Sequence, residues 1–284
     1  MEQSMNYLRS NLLVDELEFT GGFDYFSTGA DAVVFDMAKW DEVAIASFRG
    51  HLIKSIEVRS ENTLTPEIHL RLAISSHEQL RILLEKVLHP AVSCVWVSDI
   101  SNAQQVRDLD VEIRRIEMRA GWIPGQIRLI PEFNSGHPVQ ILEEILGSAD
   151  RISGICVDLE RIYRDITFRE TSVGFDSVLI AGVVSRLAIA ASYLNLRLIV
   201  VDSPTGNESS FLEFAAENGF SGVLTATSSE IAHINQSLSP SADQLEVARS
   251  LVSEWEKYDR REIGLRTNIE RLVRAKYLLE QSEK

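Results

Sequence analysis

The stretch "IRLIPEFNSG", residues 127–136, is an apolar run that stops on one acid, Glu132, with Gly136 four residues on. A carboxylate at the exposed end of a buried strand holds a metal ion, a proton or a cationic partner, because an uncompensated charge there is costly. The six histidines share no spacing that suggests a metal site, and His137, before Pro138, reads as a solvent-facing helix start. Cys94 and Cys156 each lie inside an apolar run and read as small buried hydrophobes. Trp96, at the end of another run, reads as packing. No GxGxxG, P-loop, HExxH or zinc-type Cys/His spacing occurs.

The element that carries Glu132 is one of a series. The runs are "YLRSNLLV", "AVVFD", "IHLRLAI", "CVWVS", "IRLIPE", "SGICV", "RLIVVD" and "SGVLTA", mostly continuous rather than alternating, as in strands covered on both faces. Amphipathic segments such as "SHEQLRILLEKVL", "NAQQVRDLDVEIRRIEMRAG", "HPVQILEEILGSA" and "SSFLEFAAENG" separate them. Strand and helix alternating through eight units is the pattern of a (β/α)8 TIM barrel. A doubly wound open sheet is the rival, but its first turn is glycine-rich, and "VDELEFTGG" is not that fingerprint. The barrel takes residues 1–235 and a helical C-terminal extension residues 236–284. In the extension "SPSADQLEVA" opens a helix with Asp243 in its first turn and apolar Leu245, Val247, Ala248, Leu251 and Val252. These residues exceed what closes a barrel, and a tail of this kind packs under its own barrel or reaches a neighbouring subunit, so a homo-oligomer is expected.

A net charge of -14 argues against nucleic acid or an anionic membrane as partner, though a local basic pocket can override the global field. "SVLIAGVVSRLAIAASYL" is interrupted by Arg186 and reads as a buried helix, not a membrane span. "MEQSMNYLRSNLLVDE" carries acids and lacks an apolar core with a cleavage site, so a cytoplasmic protein is expected.

"GFSGVLTATSSEIAHINQSLSPSADQLEVARSLVSEWEK", "STGADAVVFD", "RISGICVDLERIYRDI" and "RLVRAKYLL" together resemble the HpcH/HpaI aldolase and citrate lyase β-subunit family. Its members make or break carbon–carbon bonds next to a carbonyl on a phosphoenolpyruvate/pyruvate-type barrel. The resemblance implies a magnesium ion held by a glutamate ending the fifth strand and an aspartate just after the sixth, stabilising an enolate. It also implies an arginine ending the third strand that clamps a substrate carboxylate. Glu132 stands at the first metal position and Arg71 at the clamp. Asp36 matches the first acid of the family's "DLED", and Asp202 the acid ending the seventh strand.

Departures accompany these matches. "DLED" continues here as "DMAK", leaving Ala38 and Lys39 where the family has acids, and "GAEDL" is "DLERI", which puts Arg161 at the metal-binding aspartate. The "PK" of the fourth strand is Ser98-Asp99, Thr227 replaces a histidine after the eighth, and Asn268 aligns with a catalytic aspartate near the C-terminus. Three accounts follow. Asp158 or Glu160 completes a magnesium site with Glu132; or the Arg161 guanidinium replaces the ion and pairs with Glu132; or catalysis is lost and the barrel binds an anionic metabolite or a protein partner. Losing even one well-placed charge stabiliser costs about 2.7–4 kcal/mol in the transition state. The leading expectation is a divergent carbon–carbon lyase or aldolase acting on a 2-oxo acid or acyl-CoA-type substrate, in a trimer or hexamer. Glu132, Asp158 and Glu160 then supply magnesium ligands, Arg71, Glu132 and Arg161 meet the substrate, and Arg71 and Asp36 serve catalysis. A structural alternative stands beside these roles: Glu132 neutralised by Arg161 or Arg71, Arg71 paired with Glu132 or Asp36, and Asp36 and Asp202 shaping turns.

Overall fold

The computed structural model describes residues 8–16, 19, 24–57, 66–73, 77–168, 174, 177–202, 208–257 and 269–282. Its eight strands are the eight apolar runs: β1 (Ser10–Val14), β2 (Ala32–Asp36), β3 (Glu67–Ala73), β4 (Val92–Ser98), β5 (Arg128–Phe133), β6 (Gly154–Val157), β7 (Arg197–Val201) and β8 (Gly222–Thr225). All pair in parallel, each with the next, and β1 also pairs with β8, so the sheet closes into the expected (β/α)8 ring. Closure leaves no strand edge exposed.

Around the ring lie α1 (Glu42–Glu57), α2 (His77–Val87), α3 (Ala103–Ala120), α4 (Gly136–Gln140), α5 (Leu142–Leu146), α6 (Leu159–Thr167), α7 (Val178–Leu194), α8 (Glu208–Glu217) and α9 (Ile231–Ser237). The chain then forms α10 (Ala242–Lys257) and α11 (Ile269–Ser282). Side-chain alternation along each strand divides the core in two. Val33, Phe35, Leu70, Leu72, Val95 and Val97 pack outward under the helices, whereas Val34, Cys94, Trp96, Ile130, Cys156, Ile199 and Leu224 meet inside the ring. The expected readings of Cys94, Cys156 and Trp96 as packing hold, with all three buried.

Polar residues also share the inward parity. On β3 these are Glu67, His69 and Arg71, in that order from the strand's start. The Trp96 indole donates to His69 Nδ1 at 3.0 Å, which leaves the proton on Nε2 to be given to Glu67 Oε2, also at 3.0 Å. Burial holds the His69 pKa below its ordinary value despite Glu67 nearby, so the imidazole is neutral.

One seam of the ring is thin. β5 and β6 meet only at Glu132–Cys156 and Phe133–Val157, with a single bridge from Leu129 to Ile152 below them. Leu129 and Phe133 turn their peptide groups toward β6. Pro131 has the same parity and no N–H to give, so a rung is missing directly beneath Glu132.

Helix ends follow local chemistry. Asn102 and Gln105 form a reciprocal capping box at the start of α3, and Gly121 ends it at φ 72°. The segment "HPVQILEEILGSA" reads as one helix but breaks at Ile141 (φ -106°, ψ 28°) into α4 and α5. Beneath α3, the buried Arg151 guanidinium donates to both Glu117 oxygens (3.1 and 3.0 Å), to Asp110 and to the Ile127 carbonyl. It thereby ties α3 to the approaches of β5 and β6.

Leu238, just past α9, belongs to the main core. Beyond it α10 and α11 pack against each other. Of the apolar residues that marked α10 in the sequence, only Ala248 is fully buried and Val247 is largely exposed, because a two-helix arm has little interior to offer. No helix among the described residues is long and apolar enough to cross a membrane.

Candidate functional site

At the C-terminal end of the ring the strands deliver Asp36, Arg71 and Glu132 to one point. β2 and β3 are in register with Asp36 opposite Arg71. Arg71 Nε and Nη2 bond the two Glu132 oxygens at 2.7 and 2.8 Å, and Nη1 bonds Asp36 Oδ2 at 2.8 Å. Glu132 is 1% exposed and Arg71 15%, so the clamp is almost dry. Burial disfavours the Arg71 charge, but Glu132 and Asp36 outweigh it and push its pKa up, so the guanidinium stays charged at any working pH. A guanidinium has five N–H donors. Three serve the two acids here, which leaves two for a ligand.

Asp36 also accepts from the Ala38 N–H at 3.3 Å, so it both caps a short 3-10 turn, Met37–Lys39, and holds Arg71. Asp158 follows β6 directly and caps α6, its Oδ1 accepting from the Arg161 N–H at 2.9 Å. Burial raises the Asp158 pKa, the Arg161 N–H opposes this, and the Glu132 charge adds to it. Burial, with Glu132 beside it, likewise pushes up the Cys156 thiol below the mouth. Farther round, the Thr225 hydroxyl lies 3.0 Å from Asp202 Oδ2 and 2.9 Å from Glu230 Oε2. With one proton to give, it serves one of these acids at a time.

Arg161 does not pair with Glu132. Because α6 starts at Leu159, its side chain leaves along the helix surface and meets Asp99 at 3.5 Å, both groups 48% exposed. Glu160 pairs with Arg164 one turn along the same helix at 2.8 Å. Asp99, held at φ 58°, also accepts from Asn134 Nδ2 at 2.9 Å. Sequence reasoning passed over Asn134; its signal was a buried amide two residues beyond Glu132 on the same strand exit. His137 is exposed one residue into α4, as expected. Lys39 and Asn268 are not described beyond the backbone turn that holds the former.

These donors do not fit the magnesium site that the resemblance implies. A magnesium ion demands near-octahedral oxygen geometry through one or two carboxylates. Both Glu132 oxygens are engaged by Arg71, Asp158 serves its helix, and Glu160 serves Arg164. Among the described residues no group of three or more His, Cys, Asp or Glu side chains is placed to hold a metal ion. Glu132, Asp158 and Glu160 therefore do not come together as a ligand set.

No family model matches the chain. In sequence it is similar to citrate lyase subunit beta of Escherichia coli K12, 27% identical over 185 residues, which are 64% of this chain and 61% of that protein. The match thus spans less than two thirds of the relative's length. In structure it is similar to CitE of Mycobacterium tuberculosis in complex with magnesium, acetoacetate and coenzyme A, with TM-score 0.61, 15% identity, and 97% and 98% of the two chains covered. A citrate lyase from Burkholderia xenovorans gives TM-score 0.66 at 11% identity over 99% and 93% of the chains. Malate synthase of Haloferax volcanii gives TM-score 0.66 at 11% identity over 96% and 98%. At such identities the structures speak for the fold. Sequence likeness and shared barrel together bear out the resemblance to the HpcH/HpaI aldolase and citrate lyase β-subunit family, from which this chain stands well apart.

Proposed function

We propose that the barrel mouth binds a small anionic carbonyl compound, a 2-oxo acid or an acyl-CoA-type thioester, with Arg71 as the clamp. One observation carries this reading: Arg71 is fixed by Glu132 and Asp36 at the C-terminal opening and keeps two N–H donors unused. A pre-oriented fork of this kind suits a planar carboxylate. Acetoacetate and coenzyme A in the CitE complex support the ligand class. The chain acts as a binding homologue without the magnesium-enolate machinery, because an arginine stands at the second metal position and the first carboxylate is fully engaged.

A second reading, a divergent carbon–carbon lyase, is favoured by Asp158. Its buried carboxyl, raised in pKa beside Glu132, is the type of group that moves a proton at a reacting centre. Calorimetry separates the two. Pyruvate, oxaloacetate, glyoxylate and acetyl-CoA are titrated into the protein in chelator and then in magnesium, with Arg71→Gln and Glu132→Ala alongside. The proposal expects one of these anions to bind in chelator and to be lost in Arg71→Gln. Binding only in magnesium, together with cleavage of the ligand, would establish the lyase instead.

A further inference from the structure

The opposite end of the ring carries charge that its own residues leave unmatched. Inward parity at the strand starts brings Glu67 of β3, Cys94 of β4, Arg128 of β5, Gly154 of β6 and Arg197 of β7 round the N-terminal opening. Cys94 lies opposite Arg128 in the ladder and Gly154 opposite Arg197. The arginines thus flank β6, where Gly154 puts no side chain between them; a Cβ there would sit 3.3 Å from that of Arg197. Both are half-buried.

Among the described residues neither arginine makes an ion pair or a side-chain hydrogen bond. Arg197 Nε is buried without an acceptor, and the Ser153 hydroxyl beside the Cys94 thiol is buried without a partner in hydrogen-bonding geometry. Glu67, the acid at this opening, is turned elsewhere: its Oε2 accepts from His69 at 3.0 Å and from the Ser93 hydroxyl at 3.1 Å. Burial pushes the Cys94 thiol up, with Glu67 adding to this and Arg197 and Arg128 acting against it, so two cations and one acid lie within electrostatic reach of the thiol. Two like charges at a half-buried opening repel, and Arg197 Nε and the Ser153 hydroxyl are buried without a partner in hydrogen-bonding geometry. A tetrahedral oxyanion answers both deficits, since each guanidinium can fork onto two of its oxygens and the serine can donate to a third.

We propose that this N-terminal opening is a second anion site, formed by Arg128, Arg197 and Ser153, which takes a small phosphate-type oxyanion, free or as the end of a phosphomonoester. It is independent of the mouth, with the full height of the barrel between them.

The test is calorimetric titration of the full chain with inorganic phosphate and with glycerol phosphate, at ionic strength matched with chloride. Wild type, Arg71→Gln and Arg128→Gln/Arg197→Gln are compared, with circular dichroism confirming each fold. Saturable binding is expected in wild type and in Arg71→Gln, with affinity at least about tenfold weaker in the double variant. Phosphate at a hundred times its dissociation constant should raise the wild-type melting temperature by on the order of 5 °C. Tighter binding of glycerol phosphate would identify the organic ester as the occupant; tighter binding of phosphate, the free ion. Should the double variant not fold, Arg197→Lys decides, keeping the charge and losing the fork, with a severalfold drop expected. No saturable binding at on the order of 10 mM phosphate would overturn the site, with water then satisfying these donors. So would wild-type affinity in the double variant or in Arg197→Lys, or loss of binding in Arg71→Gln.

Discussion

Arg71→Met removes the cation that two buried acids share. Glu132 loses both hydrogen bonds from Arg71 and Asp36 its guanidinium partner, in surroundings 1% and 10% exposed. Breaking a buried pair by deleting one partner costs about 3–5 kcal/mol, mainly because the remaining charge stays buried without compensation. For a chain of this size that corresponds to a melting temperature lower by roughly 10 °C. Adding Glu132→Gln should recover about half of the loss, since the neutral amide needs no counter-charge. The measurement is a double-mutant cycle by urea denaturation with the slope held common, and a coupling of about 2 kcal/mol is expected. A cost under about 1 kcal/mol for Arg71→Met, or strict additivity of the two changes, would refute a dry clamp at the mouth.

Further outcomes follow from other sites. Burial pushes the Glu117 carboxyl up, but Arg151 and the N–H groups of Gly125 and Ile127 outweigh it and hold the pKa below its usual range. A carboxylate depressed in this way stabilises the fold fully above its unfolded pKa, near 4.3, and the contribution fades as pH falls through the folded value. Urea midpoints from pH 6 to 3 should therefore fall less steeply in Glu117→Gln than in wild type. Gly222→Ala sets a Cβ 2.1 Å from the Leu8 carbonyl, so a loss above about 2 kcal/mol is expected. Gly121→Ala has open space but a left-handed backbone and should lose only about 1 kcal/mol; thermal melts that reverse this order would contradict both assignments. Asn102→Ala breaks the capping box of α3 and should cost about 1 kcal/mol by the same assay.

The strands were legible because each is a continuous apolar run between helical segments, and every run became a strand of the ring. Asp36, Arg71 and Glu132 were legible one at a time, as charges ending such runs. Pairing of Arg71 with Glu132 or with Asp36 stood as the structural alternative; that one guanidinium holds both acids at once was not legible, because it depends on the stagger that puts β2, β3 and β5 side chains at one height. Only one of the three accounts has Arg161 facing Glu132, and the reason it faces Asp99 is local: α6 begins one residue after β6 and Asp158 spends an oxygen on its cap. Arg128 and Arg197 went unnoticed since each merely starts an apolar strand. The signal was parity, for both lie an even number of residues from an interior isoleucine, Ile130 or Ile199. The break at Ile141 and the exposed face of α10 depend on what the chain finds to pack against, which periodicity alone does not contain.

A closed ring shares strain among all its staves, and the weakest joint sets where it first breathes. One joint that lacks a rung is that beside Pro131, between β5 and β6. Glu132 hangs at its upper lip, while Arg128 and Arg197 flank its foot. An anion settled at either end of this stave would therefore also act as a staple, slowing amide exchange along β5 and β6.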